Sequence, residues 1–355
     1  MYKINPLYRP VLFGIDTIGS LFFFWKKFKP FPKKIRKILV IRLDHIGDML
    51  LTTPVFKTLK NNFPDAEVHV LSRTIAVPIL EGNSSVDKII EFNAPWFARG
   101  ERIDNKNELI NKLKKERYDL VLELKGDPRN ILFANSIGSY SVGYSIRGFG
   151  FLLNKVVSWK GIKHISERYL DLLRAIGCKR ISQKLELFID KKTKEKVIKM
   201  LPSGHKMCIN PGVGAVERQW PLENFAELIN KIDSRIILVD SDKSRTSKIL
   251  KLVKDKQKVI DLSGKLNIKE LAEAVKQCNL FIGLESATMH IASAVGTPLI
   301  DIHSGVTYTK EWGPYQGKHI VLQKFVGLYT SKEKAIKAIS SITPDKVIEA
   351  IRELK

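Results

Sequence analysis

Short β-branched runs alternate with amphipathic segments twice along this 355-residue chain, and few folds accept such a pattern. The first series holds "KILVIRL" (from Lys37), "EVHVLSR" (Glu67), "KIIEF" (Lys88), "DLVLELK" (Asp119) and "YSVGY" (Tyr140). Helical stretches fall between several of them, including one expected over 47–62, and "HISERYLDLLRAIG" closes the half. After the polar stretch "DKKTKEKVIKMLPSGH" a second series begins: "KMCINPG", "RIILVD", "KVIDLSG", "NLFIGLE" and "PLIDIHS", with helices expected over 222–232, 268–277 and 287–295. Strand runs this short and apolar, separated by amphipathic helices, indicate βα units and a mainly parallel sheet. The length suits two domains rather than one. The expected architecture is therefore α/β, two Rossmann-like domains in series with a hinge near residue 190. The expected boundaries are 1–36, 37–190, 191–330 and a helical segment over 331–355, opened by Thr343 as N-cap and Pro344 at the first helical position.

Charge narrows the partners. Sixty Lys and Arg against 37 Asp and Glu leave a net charge of +23. Such a surface seeks phosphate-rich partners, whether nucleic acid, an anionic bilayer or a phosphorylated substrate. The amino terminus is distinctive: "VLFGIDTIGSLFFFW" is apolar but interrupted by Asp16, and "KKFKPFPKKIRK" follows it. The apolar part falls short of the roughly 20 residues that span a bilayer, and no small-residue cleavage site follows it. An aromatic segment beside a polybasic run suits a helix lying in an anionic membrane interface. The competing expectation is a helix packed on the protein's own body. Cys178, Cys208 and Cys278 lie far apart in apolar surroundings, without metal-ligand spacing, and read as core thiols.

No G-x-x-x-x-G-K-S/T is present, and "NPGVGAVE" lacks dinucleotide-fingerprint spacing. Three strand-end loops remain as candidate sites. In "LDHIGD", Gly47 permits a tight turn and Asp48 stands at a helix start, where an acid also meets the helix dipole. In "NPGVGAVERQWPLENF", glycines follow a strand and Arg218 precedes Trp-Pro, a combination able to hold a diphosphate. In "IGLESATMHIASAVGTP", Glu285, Ser286, Thr288 and His290 surround another strand-to-helix turn and could hold a ribose, a phosphate or a sugar. "VDSD" supplies a D-x-D, Asp240 and Asp242, which could hold a divalent metal or meet a ribose.

In this order the motifs resemble glycosyltransferase family 9, the heptosyltransferases of lipopolysaccharide core synthesis. The resemblance runs from about Lys37 to the end. It is carried by "ILVIRLDHIGDMLLTTPVFKTLKNNFPDAEVHVL", by "LELKGDPRN" (similar to D-x-Q-G-x-x-K/R), and by "NPGVGAVERQWPLENFAEL", "DLSGKLNIKELAEAVKQCNLFIG", "MHIASAVGTP" and "EWGPY". It implies a GT-B fold, with an acceptor domain and a nucleotide-sugar domain facing across a cleft, and an inverting reaction with no obligatory metal or cofactor. It implies Asp48 as catalytic base. For the donor, usually ADP-heptose, it implies Gly212, Gly214, Arg218, Glu285, Ser286, Ala287, Thr288 and His290, with helix N-termini after Gly214 and Ser286. For the acceptor the candidates are Arg42, Lys125 and Arg129. The chain departs from the family at Glu285-Ser286-Ala287, where D-S/T-G is usual, at Val213 and Gly214, where hydroxyls are common, and at Glu123 and Lys125.

The leading expectation is a cytoplasmic enzyme, peripheral on the inner face of the membrane, adding heptose to an anionic lipid-linked core acceptor. A second keeps the family and changes the nucleotide sugar and glycan. A third is a non-catalytic RNA-binding or scaffold protein on the same fold, supported by charge. Specific nucleic-acid binding is not expected, since no strand interleaves aromatics with basic residues as RNA-binding sheets do.

Overall fold

The computed structural model describes residues 8–96 and 103–354, so the amino-terminal part of the 1–36 segment and Lys355 lie outside the described residues. It forms two compact units. The first runs to Gly161 and resumes over Ser166–Gln183; the second takes Ile162–Ile165 and everything from Lys184 on. The division falls before the expected 190, with a four-residue excursion that no composition change marks.

The first unit holds β1 (Lys37–Arg42), β2 (Glu67–Ser72), β3 (Lys88–Glu91), β4 (Leu120–Glu123), β5 (Tyr140–Gly143) and β6 (Lys155–Val156) in the order β3-β2-β1-β4-β5-β6. Every neighbouring pair is parallel, with Ile38 opposite both Val68 and Leu120. Ile38, Leu39, Val40 and Ile41 are fully buried. Helices cover both faces of such a sheet, so its central strand reads as an unbroken apolar run. The helix expected over 47–62 is two pieces, Ile46–Leu50 and Thr53–Asn62. Pro54 lacks an N–H and its ring would collide with the Leu50 carbonyl in a continuous helix. Thr52 Oγ1 instead donates to the Asp48 carbonyl at 2.8 Å.

The second unit repeats the plan. Its strands are β7 (Lys206–Asn210), β8 (Arg235–Leu238), β9 (Val259–Asp261), β10 (Leu280–Leu284), β11 (Leu299–His303) and β12 (His319–Gln323), in the order β12-β11-β10-β7-β8-β9. All pairs are again parallel. Renumbered from its own first strand, this is the order of the first sheet. The terminal helices Lys332–Ser340 and Pro344–Leu354 do not form a separate segment: Ile339, Val347, Ile351 and Leu354 enter the core with Trp220 and Phe225. Thr343 Oγ1 accepts from Lys346 N at 3.4 Å, as a cap should.

At the amino end, helix Arg9–Phe22 and a 3₁₀ turn, Phe24–Phe28, sit on the 148–154 loop of the first unit. Among the described residues no helix is long and apolar enough to cross a membrane. All three cysteines are buried and unbridged.

Candidate functional site

In each sheet the strand order reverses beside the first strand, between β1 and β4 and between β7 and β10. Loops leaving such a pair turn opposite ways and open a crevice at the carboxyl ends of the strands, where ligands of open α/β sheets bind. The candidate residues fall at these two points. Asp48 follows β1 and Lys125 follows β4; Gly212, Gly214 and Arg218 follow β7, and Glu285 to His290 follow β10.

At the first point Arg42, the last residue of β1, is buried at 2% exposure and organises two carboxylates. Its guanidinium donates to Asp48 Oδ1 at 2.8 Å and lies 3.1 Å from Asp44 Oδ2, while Lys125 Nζ donates to Asp44 at 2.5 Å. The same guanidinium donates to the phenol of Tyr169, on helix Ile165–Ala175. Two anions thus face two cations. Burial raises the Asp48 carboxyl above its ordinary value; Arg42 opposes this, and the Asp44 charge reinforces it. Of Arg42, Asp44 and Asp48, Asp48 alone reaches solvent appreciably, its side chain 19% exposed against 2% and 7%. Arg42 therefore supports Asp48 from beneath rather than offering itself to an acceptor. Arg129 is likewise engaged, its guanidinium holding both oxygens of Asp127 at 2.9 and 2.7 Å. Sequence reasoning missed Asp44 and Tyr169, whose roles depend on partners in space. Glu123, the last residue of β4, is buried and accepts from Lys125 N and Gly126 N of the turn that follows. Burial pushes it up to about 7 against these bonds.

At the second point Glu285 is the hub. Its Oε1 accepts from Arg218 at 3.1 Å, and its Oε2 accepts from Ser304 Oγ at 2.7 Å and Thr307 Oγ1 at 2.6 Å. His303 Nε2 stands 3.5 Å from the same oxygen, and its Nδ1 is 2.7 Å from Asp301 Oδ2. Burial disfavours the His303 imidazolium, but Asp301 and Glu285 outweigh it and raise the pKa. A carboxylate with so many internal donors aims Arg218. The residues that hold it, His303, Ser304 and Thr307, follow from no sequence motif recognised above. The helix expected over 222–232 after Gly214 is present as Leu222–Lys231, preceded by a 3₁₀ turn, Val216–Arg218. The helix after Ser286, Ala287–Val295, is present, and the Ser286 hydroxyl makes no capping bond to it. Within it Thr288 and His290 are buried. Burial lowers His290 to about 3, keeping it neutral, and its Nδ1 has no hydrogen-bond partner among the described residues. Asp240 accepts from Arg245 at 2.7 Å, and Asp242 caps its helix through Ser244 N while lying 3.8 Å from the same Arg245.

Gly212 is needed for close approach. A Cβ there would lie 2.6 Å from Asp240 Oδ1 and 3.1 Å from Arg245 Nη1. Gly212→Ala should destabilise the second unit by about 1–3 kcal/mol, as overpacking does. Denaturant unfolding would read this, and an unchanged midpoint would remove the steric account.

The sequence profile of glycosyltransferase family 9 (heptosyltransferase) matches residues 107–338, nearly two thirds of the chain. The chain belongs to glycosyltransferase family 9. This family 9 protein is 27% identical over 330 residues to lipopolysaccharide heptosyltransferase 3 of Escherichia coli K12, covering 87% of this chain and 95% of the relative. Its fold matches the crystal structure of a glycosyltransferase family 9 protein from Veillonella parvula with a TM-score of 0.80 at 24% identity, over 91% of this chain and 98% of that one. E. coli ADP-heptose lipopolysaccharide heptosyltransferase II gives 0.73 at 23% identity, over 90% and 98%. The family 9 enzyme is thus a glycosyltransferase of GT-B fold. The profile match includes the Glu285 hub and Lys125 but begins after Asp48.

Proposed function

We propose that this glycosyltransferase moves heptose from ADP-heptose, with inversion and without a metal, to a phosphate-bearing, lipid-linked sugar of a lipopolysaccharide core at the cytoplasmic face of the membrane. The observation that carries the catalytic part is Asp48: a carboxylate of raised pKa, oriented by a buried arginine and reaching solvent at the switch point of its sheet. The donor part rests on the Glu285-held Arg218 beside the start of helix Ala287–Val295. The names of the relatives support heptose, ADP and lipopolysaccharide.

In this reading the acceptor hydroxyl gives its proton to Asp48 as its oxygen bonds to the anomeric carbon. The bond from that carbon to the diphosphate breaks, and ADP leaves with the electron pair. The ionised carboxylate also stabilises the oxocarbenium-like charge in between. The leaving diphosphate gains charge, which Arg218 and the N–H groups of the helix start would meet. Neutral His290 is buried within that helix with its Nδ1 unpartnered, so it backs the site rather than facing the donor. Lys125, its side chain 23% exposed beside Asp44, gives the acceptor side a cation suited to phosphates.

Thermal shift with ADP-heptose, UDP-glucose, UDP-N-acetylglucosamine and GDP-mannose tests the donor. Selective stabilisation by ADP-heptose is expected, with transfer persisting in EDTA; selective stabilisation by another donor would sink the heptose assignment. Arg218→Gln should reduce kcat about 10²-fold, in the range for removing one electrostatic donor, and raise the KM for donor. Unchanged kinetics would take Arg218 away from the diphosphate.

A further inference from the structure

The amino-terminal helix carries two apolar stripes, and its own protein covers one. Leu12, Asp16, Gly19 and Phe23 recur at helical spacing and face the 148–154 loop. Phe149 N donates to the Asp16 carboxylate at 2.7 Å, Leu12 packs on Gly148, and Gly19 lies so close to Phe151 that a Cβ would meet its ring at 2.5 Å. Phe23 packs on the Phe151 ring at 5.6 Å. Lys26 and Lys27 reach back to the carbonyls of Leu152 and Gly150 at 3.0 and 3.1 Å, and Asn154 Nδ2 donates to Lys26 O at 2.9 Å. Placement of this segment is therefore fixed by specific bonds, which also pair the segment's single acid with a backbone donor.

The second stripe, Val11, Ile15, Ile18 and Phe22, repeats the same spacing on another side and is exposed, Phe22 at 67%. Leu21 beside it is exposed as well. The chain then continues into Phe24, Trp25 and Phe28, where Phe28 is 78% exposed. These rings pack edge-on against one another, Phe24 with Trp25 at 5.9 Å and with Phe28 at 6.3 Å, and so form one ridge. Lys29, Lys33, Lys34 and Arg36 follow, all exposed. Monomers rarely leave a contiguous apolar face of this extent uncovered.

We propose that this stripe and ridge lie in the surface of an anionic lipid bilayer, parallel to its plane, with Lys29, Lys33, Lys34 and Arg36 against the headgroups. Two features select this occupant. The helix is about 21 Å long at 1.5 Å per residue, too short to span the roughly 30 Å hydrocarbon layer, yet apolar enough to enter its boundary. The cations flanking the aromatic ridge match anionic headgroups, the pairing of apolar insertion with basic charge that holds proteins at membranes. A second copy of the chain would bring the same positive charges together. The inference deepens the functional reading, resting on it for the purpose of docking, but its test does not depend on transfer.

Full-length protein would be sedimented with phosphatidylcholine vesicles containing or lacking phosphatidylglycerol, at low and high salt. Binding to the anionic vesicles is expected. Ile18→Asp with Phe22→Asp should weaken it about ten-fold or more, and Lys33→Glu with Lys34→Glu should weaken it mainly at low salt. Melting temperature should hold in both, because the altered side chains are exposed. Equal vesicle binding by wild type and the Ile18/Phe22 variant would overturn the proposal. So would a wild-type dimer that this variant converts to monomer without any vesicle binding, which would assign the face to a second copy. Transfer to a short water-soluble acceptor should be unchanged in the variant. Wild-type vesicle binding without ADP-heptose transfer would defeat the functional reading alone.

Discussion

Asp48→Asn should lower kcat by about 10²–10⁴-fold, the contribution of a positioned general base, while the protein folds and binds donor normally. Asparagine keeps an oxygen for the Arg42 guanidinium, now 2.8 Å from Asp48 Oδ1, so the support is retained and the proton acceptor is lost. Stability should change little. The native state raises the Asp48 pKa and so favours its protonated form. That contribution is present below the unfolded value of about 3.9 and is lost as pH rises through the higher folded value, and a neutral amide removes the dependence. Catalysis runs the other way: the base must be ionised, so activity should fall as pH drops through the raised folded-state pKa. The acid limb should therefore lie above the ordinary carboxylate range and vanish from the residual activity of the variant. Near-normal turnover in Asp48→Asn, measured by ADP release, would remove Asp48 as the base.

Trp220→Ala should destabilise the second unit by about 3–5 kcal/mol, the usual cost of emptying a large buried aromatic site. The ring is fully buried, stands edge-on to Phe225 at 4.7 Å, and donates Nε1–H to the Ile342 carbonyl at 2.8 Å. Truncation leaves a cavity and strips that carbonyl of its partner. It also unties the 211–219 loop from the terminal helices, two residues from Arg218, so donor KM should rise as well. Urea unfolding followed by hydrogen exchange in each unit would locate the effect, since two units need not unfold together. A loss spread evenly over both units, or no shift in midpoint, would contradict the anchoring role.

Most of the scaffold was legible because parallel strands buried on both faces must be continuous apolar runs: "KILVIRL" and "NLFIGLE" appear as β1 and β10. The missed strands lie at sheet edges. Residues Lys155–Val156 make a two-residue, exposed β6, and β12 is only partly buried, so neither has the burial that shapes a sequence signal. Pro54 is the local signal of the break between helices Ile46–Leu50 and Thr53–Asn62, set within a run whose apolar spacing is otherwise continuous. The candidate residues sit at the strand ends that the motifs suggested, yet their division of labour was not readable. Tyr169 on Arg42, Glu285 as a hub with Ser304 and Thr307, and Asp44 bridging to Lys125 are relations between side chains distant in sequence. No periodicity records such pairs.

The shared strand order of the two sheets has an evolutionary consequence. A crevice at the reversal of strand order exists before any residue in it is chosen, because topology alone creates it. Selection can then rewrite the short segments after β1, β4, β7, β10 and β11 while the buried strands stay under the separate demand of close packing. Glu285 shows how one such segment is tied in: hydroxyls and an imidazole from the neighbouring strand end hold it, and it in turn holds an arginine at the crevice. A fold arranged in this way can change its sugar by local trial, with little risk to its own folding.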